Sequence, residues 1–322
     1  MNKRERVIAA FHGKEVDHVP VCMWKHVPPE LWDDDDKFAQ CQADFVKATD
    51  VDFAKLSADK YFGWPAPVLD GIEKAEDLYK IEPLGADHPF IRGQIERTRK
   101  IIQGLNGECV ALYLIFAPLS YLRLQVGYPT MMKLIRENPE AMKYACSVIA
   151  EDVKVLVHGI IEEAGADGIF FSVQNAEENR FTYEEYRAWV TPSEKAVLDY
   201  ANTLSSMNAI HLCAWEEIPN RLSVWADYKA AVISWSRYID IMDIQEAKKH
   251  FGCTCGAALT TAWAPSSIRL LARSWSRRLP ICSLRAARRA TSSVLIAAST
   301  AVCPKSASVG LQKRPARSDS PQ

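Results

Sequence analysis

Residues 138–173 read NPEAMKYACSVIAEDVKVLVHGIIEEAGADGIFFSV, and this stretch decides the fold. From Pro139 to Ala164 the apolar residues Met142, Ala145, Ile149, Val153, Leu156 and Ile160 recur at steps of three and four, which puts them on one face of a helix. Asn138 can cap the free N–H groups at its start. Pro139 suits the first helical position because it has no N–H to leave unpaired, and Gly165 offers the left-handed residue that stops the helix. Gly168–Val173 follows at once and is apolar on both faces, as a parallel strand covered by helices must be. Helix, glycine and strand in immediate succession form an αβ joint.

The same alternation runs outward in both directions. Strands are predicted at Val19–Met23, Phe53–Leu56, Cys109–Phe116, Gly168–Val173, Asn208–Cys213 and Ala231–Trp235, with helical patterns between them. One helix begins at Thr182, whose hydroxyl forms a capping box with Glu185. Six strands alternating with helices predict an α/β fold with a parallel sheet, either a barrel or an open doubly wound sheet. The run Asp33-Asp34-Asp35-Asp36 reads as a solvated loop or helix start, since neighbours in sequence repel and point apart. No internal repeat is visible. GxGxxG, a Walker lysine loop and HExxH are all absent, which demotes nucleotide chemistry.

The 322 residues are 48% apolar and 25% charged, the balance of a globular protein able to bury a sizeable core. The formal charge of −1 hides an asymmetry: residues 251–322 hold nine Arg and two Lys against one acid, Asp319. That tail, rich in Ser, Ala and Arg from Ala257 on, lacks helical or strand periodicity. With few aromatics and no nucleic-acid reader motif, no nucleic-acid partner is expected. Nine cysteines at irregular spacing argue for a reducing compartment over a disulfide framework. The charged start, Met1-Asn-Lys-Arg-Glu-Arg, has no signal-type apolar core after it, and no apolar run is long enough for a bilayer, so no membrane contact and a cytoplasmic location are expected.

Several side chains could carry chemistry. His211 and Cys213 lie two apart at the end of a predicted strand, so they share a face and could converge on one metal ion; two packed core residues are the plainer alternative. Cys253-Thr254-Cys255 is a second, weaker metal signal. Asp59 follows the second strand, where a parallel barrel displays its working groups, and could act as acid, base or anchor, or simply cap its loop. Gln174 and Asn175, just after the fourth strand, could orient a polar substrate or serve loop hydrogen bonding.

Four stretches resemble the uroporphyrinogen decarboxylase family, including its corrinoid-linked methyltransferase branch. They are the opening Lys3-Arg-Glu-Arg-Val-Ile-Ala-Ala-Phe-His-Gly-Lys-Glu-Val-Asp-His-Val-Pro-Val, Ala164-Gly-Ala-Asp-Gly-Ile-Phe-Phe, the His211-Leu-Cys213 strand end, and Ile244-Gln-Glu-Ala-Lys-Lys-His-Phe-Gly. The likeness covers residues 3–256 and implies one (β/α)8 TIM barrel with its site at the C-terminal ends of the strands. True decarboxylases of the family carry Met-Arg-Gln-Ala-Gly-Arg after the first strand to grip substrate carboxylates. Here Cys22-Met-Trp-Lys-His-Val-Pro-Pro has no arginine, and Lys25 supplies a point charge in place of a bidentate clamp. Asp59 falls near the family's catalytic aspartate.

The methyltransferase branch holds zinc with a His-x-Cys strand end and a distant C-terminal Cys. The resemblance therefore implies His211 and Cys213 as ligands, with Cys255 as the third and Cys253, Cys282 or Cys303 as its rivals. It implies methyl transfer between a cobamide and a thiol or other small acceptor, ahead of porphyrinogen decarboxylation without a cofactor and ahead of a non-catalytic remnant barrel. The chain has no DxHxxG motif, so cobalamin would arrive on a separate corrinoid protein. A homodimer is left open.

The family pattern breaks after Gly256, which divides the chain into a barrel domain at 1–256 and a basic tail at 257–322. The loss of acids and of periodicity predicts an out-of-frame, disordered tail and a barrel incomplete or irregular at its C-terminus.

Overall fold

Pro20 has no N–H to give to a ladder, so the first strand, β1, begins one residue later and spans Val21–Trp24. It opens the fold in a computed structural model that describes residues 1–214, 218–252, 257–259 and 295–298. The other strands are β2 (Phe53–Leu56), β3 (Val110–Phe116), β4 (Gly168–Val173), β5 (Ala209–Leu212), β6 (Val232–Trp235), β7 (Ala257–Leu259) and β8 (Leu295–Ala298). All six predicted strands are present, with ends shifted by up to two residues. Every pairing between these strands is parallel. β2 to β7 run in sequence order in one sheet, and β8 pairs with β1.

Asp52 fastens β1 to β2. Its N–H donates to the Val21 carbonyl at 2.8 Å, one carboxylate oxygen accepts the Val21 N–H at 2.8 Å, and the other takes the buried Arg6 guanidinium at 2.9 Å. The result is an α/β fold whose parallel strands form a half-barrel with helices between them. The expected boundary at residue 256 and the basic tail, apart from β7 and β8, lie outside the described residues.

The decisive stretch folds by the local rules that predicted it. The Asn138 side chain accepts the Ala141 N–H at 3.1 Å, and Pro139 opens a helix that runs to His158. There the helix widens into a π turn over Gly159–Glu163. The widening falls where the helix meets the helix Pro89–Leu105: a Cβ on Gly159 would collide with Ile95. Gly165 then takes φ +82° and turns the chain into β4. Gly168 begins that strand against the Met207 carbonyl, 2.9 Å from where a Cβ would stand. Asn208, expected inside the fifth strand, instead ties strand starts together, accepting the Ile169 N–H at 3.0 Å and donating to the Ser205 carbonyl at 2.8 Å.

The Thr182–Glu185 capping box forms as expected. The acidic run becomes a helix start: Asp34 caps the helix Asp35–Thr49, while Asp33 and Asp36 pair with Lys60 and Lys100 at the surface. The five described cysteines, at 22, 41, 109, 146 and 213, are free. No helix among the described residues is long and apolar enough to cross a membrane.

Candidate functional site

Side chains alternate along a strand, and the register sets which of them share a level. Ser172 of β4 lies opposite His211 of β5, and His211 lies opposite Ser234 of β6. His211 Nδ1 hydrogen-bonds the Ser234 hydroxyl at 3.1 Å, and its ring stacks on Phe170 with centroids 5.3 Å apart and planes 27° off parallel. Burial, helped by the Lys55 ammonium, pushes the imidazole down to about 3, so the ring is neutral at physiological pH. A neutral ring keeps one nitrogen as a lone-pair donor, the form in which histidine binds metal.

Cys213 lies one residue beyond β5, its N–H donating to the Val173 carbonyl at 3.0 Å, and the alternation of the strand continued to it puts it on the His211 side. Burial raises its thiol pKa and Glu177 adds to this, while a hydrogen bond from Gln174 and the charges of Arg123 and Lys55 pull it back. Gln174 is 4% exposed, and its side-chain oxygen accepts from Arg123 Nη2. Arg123 comes from the helix Pro118–Val126 after β3 and lies over Tyr128 at 4.7 Å from the ring centroid. Its Nε is buried with no partner, and it forms no ion pair with a carboxylate among the described residues. Asn175 is buried at φ +71°. Its amide donates to Ser120 Oγ at 3.4 Å, and its side-chain oxygen is unpartnered. A buried acceptor without a donor, on a left-handed residue at a strand end, is the strain expected beside a ligand.

Lys55 was not foreseen. Its signal in the sequence is a lysine inside the otherwise apolar strand Phe53-Ala-Lys-Leu. It stands 7% exposed, with Nζ 3.3 Å from the Trp24 ring centroid and 5.1 Å from that of Phe170. Burial lowers it to about 8, against the opposing pull of Cys22, Asp59 and Cys213, and it makes no ion pair among the described residues. Lys25, the cation expected in the site, instead lies over Phe45 of the helix Asp35–Thr49 at 5.2 Å. Alternation explains the exchange: Trp24 meets Lys55, so its neighbour Lys25 faces the helix that covers the sheet.

Asp59 is fully buried. Its carboxylate accepts His26 Nδ1–H at 2.7 Å and the Val27 N–H at 2.7 Å, so it holds the loop after β1 against the loop after β2. Asp59→Asn should cost about 2 kcal/mol, because asparagine offers one acceptor oxygen where the carboxylate offers two, so one of the two charge-assisted bonds is lost and the other becomes neutral. A shift of the urea midpoint at unchanged slope would measure it.

His211, Cys213 and Gln174 therefore come together, Asn175 lies next to them, Asp59 braces the loops on the β1–β2 side, and Lys25 stands apart. Cys255, the expected third ligand, and Cys253, Cys282 and Cys303 lie outside the described residues. Among the described residues no group of three His, Cys, Asp or Glu side chains converges as a metal ion needs. His211 and Cys213 still fit zinc as two of its ligands: a neutral imidazole oriented by a hydroxyl, beside a thiol with two cations near it. A surface recess lined by Arg6, His18, Asp52 and Glu108 lies at the opposite, N-terminal ends of the strands.

A family model described as uroporphyrinogen decarboxylase (URO-D) matches residues 63–259. Among solved structures, a methyltransferase from Methanosarcina mazei superposes with a TM-score of 0.65 at 14% identity, covering 95% of this chain and 94% of that one. At that identity the likeness speaks for the fold. The old yellow enzyme from Trypanosoma cruzi aligns at a TM-score of 0.45 and 11% identity over 90% of this chain and 89% of that one, too distant to argue from. No curated protein matches the chain.

Proposed function

The chain belongs to the uroporphyrinogen decarboxylase (URO-D) family, and on that basis we propose that it is a zinc-dependent methyltransferase moving a methyl group between a cobamide and a thiol or other small acceptor. The observation that carries this reading is the pair at the end of β5: a neutral His211, oriented by Ser234, on the same face as Cys213. Zinc would be held by His211, Cys213 and Cys255 in a closed (β/α)8 barrel. When bound, it would lower the pKa of an acceptor thiol so that thiolate is present at neutral pH.

The chain's own residues supply the rest. Gln174 and Asn175 orient the acceptor, with the unpartnered Asn175 oxygen ready to take a donor from it. Arg123 and Lys55 make the surroundings of Cys213 positive, which favours sulfur in its anionic form. Asp59 keeps the β1 and β2 loops in register. The cobamide would come on a separate corrinoid protein, for which the chain itself has no DxHxxG motif. Decarboxylation of a porphyrinogen is less favoured, because residues 22–29 hold no arginine and Lys25 faces Phe45.

The full chain should contain about one zinc per polypeptide, lost in His211→Ala, and should methylate a thiol from methylcobalamin only when zinc is present. Elemental analysis together with a thiol-loss assay tests both points. Zinc content indifferent to His211→Ala and Cys213→Ser would refute the proposal. So would metal-free release of carbon dioxide from uroporphyrinogen.

A further inference from the structure

Two fully buried carboxylates stand outside the proposed chemistry: Glu177, which is paired with Arg180, and Glu194, on the helix Thr191–Leu204, which has no ion pair among the described residues. Arg187, whose charge acts weakly on Glu194, is held by Asp227 at 2.7 and 3.0 Å. Oε2 of Glu194 accepts the Tyr228 hydroxyl at 2.7 Å and the Trp225 indole N–H at 3.3 Å. Its Oε1 lies 2.9 Å from the Tyr186 hydroxyl, and the same hydroxyl lies 3.0 Å from the backbone carbonyl of Gln174.

Counting hydrogens settles who donates. The Tyr186 hydroxyl has one proton, and a backbone carbonyl can only accept. If Glu194 were ionised, its oxygen and the Gln174 carbonyl would compete for that single hydrogen, and one buried acceptor would go unpaired. Both contacts become hydrogen bonds only when Oε1 of Glu194 carries a proton and donates it to the tyrosine oxygen, freeing the tyrosine hydrogen for Gln174.

We infer that Glu194 is a positioning residue: as a protonated acid it acts through Tyr186 to hold the Gln174–Asn175 turn, the turn whose side chains meet Arg123, Cys213 and Ser120. The inference rests on that turn being part of the site, and it does not depend on zinc or on the methyl donor. The surroundings agree. Burial raises Glu194 from 4.5 to about 7, opposed by Tyr228, Tyr186, Trp225 and, more weakly, Arg187. The other titratable groups facing it, Tyr186, Tyr228 and Cys146, are all raised by burial and stay neutral across this range.

The linkage has a definite sign. Between about pH 4.5 and 7 the unfolded chain has released this proton while the folded chain keeps it, so stability from this group falls as pH rises through that window and is level above it. Glutamine reproduces the hydrogen bonds of the protonated acid, its amide donating to Tyr186 and its oxygen accepting from Tyr228 and Trp225, and it does not ionise in this range.

Comparison of the full-length chain with Glu194→Gln, by thermal unfolding at pH 5 and pH 8 and by hydrogen exchange over residues 173–181, tests the inference. The two proteins should match at pH 5. At pH 8 the parent chain should melt lower and exchange faster in that segment, while the glutamine variant keeps its pH 5 behaviour. In the parent chain alone, infrared spectroscopy with labelled glutamate should show a protonated-carboxyl carbonyl band that fades as pH passes about 7, a readout that needs no variant. Absence of that band, or a Glu194→Gln defect equal at both pH values, would overturn the inference.

Discussion

Lys55→Met should make the chain more stable at pH 7, by about 3 kcal/mol, while impairing its reaction. The ammonium sits 7% exposed between the rings of Trp24 and Phe170 with no carboxylate bonded to it, and its pKa falls from 10.5 to about 8. A lysine depressed in the folded state is protonated more readily by the unfolded chain, so its penalty is complete below about pH 8 and gone above about pH 10.5. The stability gap between Lys55→Met and the parent should therefore close across that interval. Denaturant titrations at pH 7, 9 and 11 measure it. Methionine fills the same volume and packs well on aromatic rings, so lost packing does not mask the gain. A variant less stable than the parent at pH 7 would contradict the argument. A cation kept at such a cost beside His211 and Cys213 is the signature of a group retained for function.

Arg97→Ala should do the opposite and lose about 3 kcal/mol, the usual result of stranding buried hydrogen-bond partners and opening a cavity. Arg97 is as buried as Lys55, at 1% exposed, but every arm of its guanidinium is used. It binds Asp35 at 2.6–2.7 Å, the Trp32 carbonyl at 2.7 Å and the Asp59 carbonyl at 3.0 Å, and it lies between the rings of Phe38 and Tyr61. Removing it strands two carbonyls and opens a cavity where the helix Pro89–Leu105 meets the loops after β1 and β2. Lysine should not restore it, since a point charge cannot reproduce the planar fork. Urea midpoints for Arg97→Ala and Arg97→Lys provide the check; a loss under about 1 kcal/mol would show that the network is not cooperative.

These two cations mark the limit of what spacing reveals. Both are single basic residues in half-apolar text, and neither declares whether a carboxylate awaits it. Asp35 is 62 residues from Arg97 and reaches it only because two helices pack together. Strand existence was readable because β3 and β4 are apolar on both faces, a pattern that only a covered parallel sheet tolerates. Strand phase was harder. β1 and β2 have four residues each, so nothing within them says which face is inside, and the expected cation Lys25 exchanged places with Lys55.

The candidate site divides in the same way. The expectation for His211 and Cys213 came from a local rule, the two-residue spacing at a strand end. Arg123 meets Gln174 across 51 residues and Glu194 meets Tyr228 across 34. No local rule connects either pair, because their contacts follow from the order in which parallel strands are laid side by side.

The amino-acid sequence by itself determined the elements and their ends: the Asn138 and Thr182 caps, the Gly165 turn, the parallel strands and the His-x-Cys pair, all set by sterics and hydrogen bonding within a few residues. Only the tertiary structure decided which charges are buried alone, which are paired, and which carboxyl keeps its proton. Desolvation and hydrogen-bond counting depend on neighbours brought from distant parts of the chain, and those neighbours exist only once the sheet has formed.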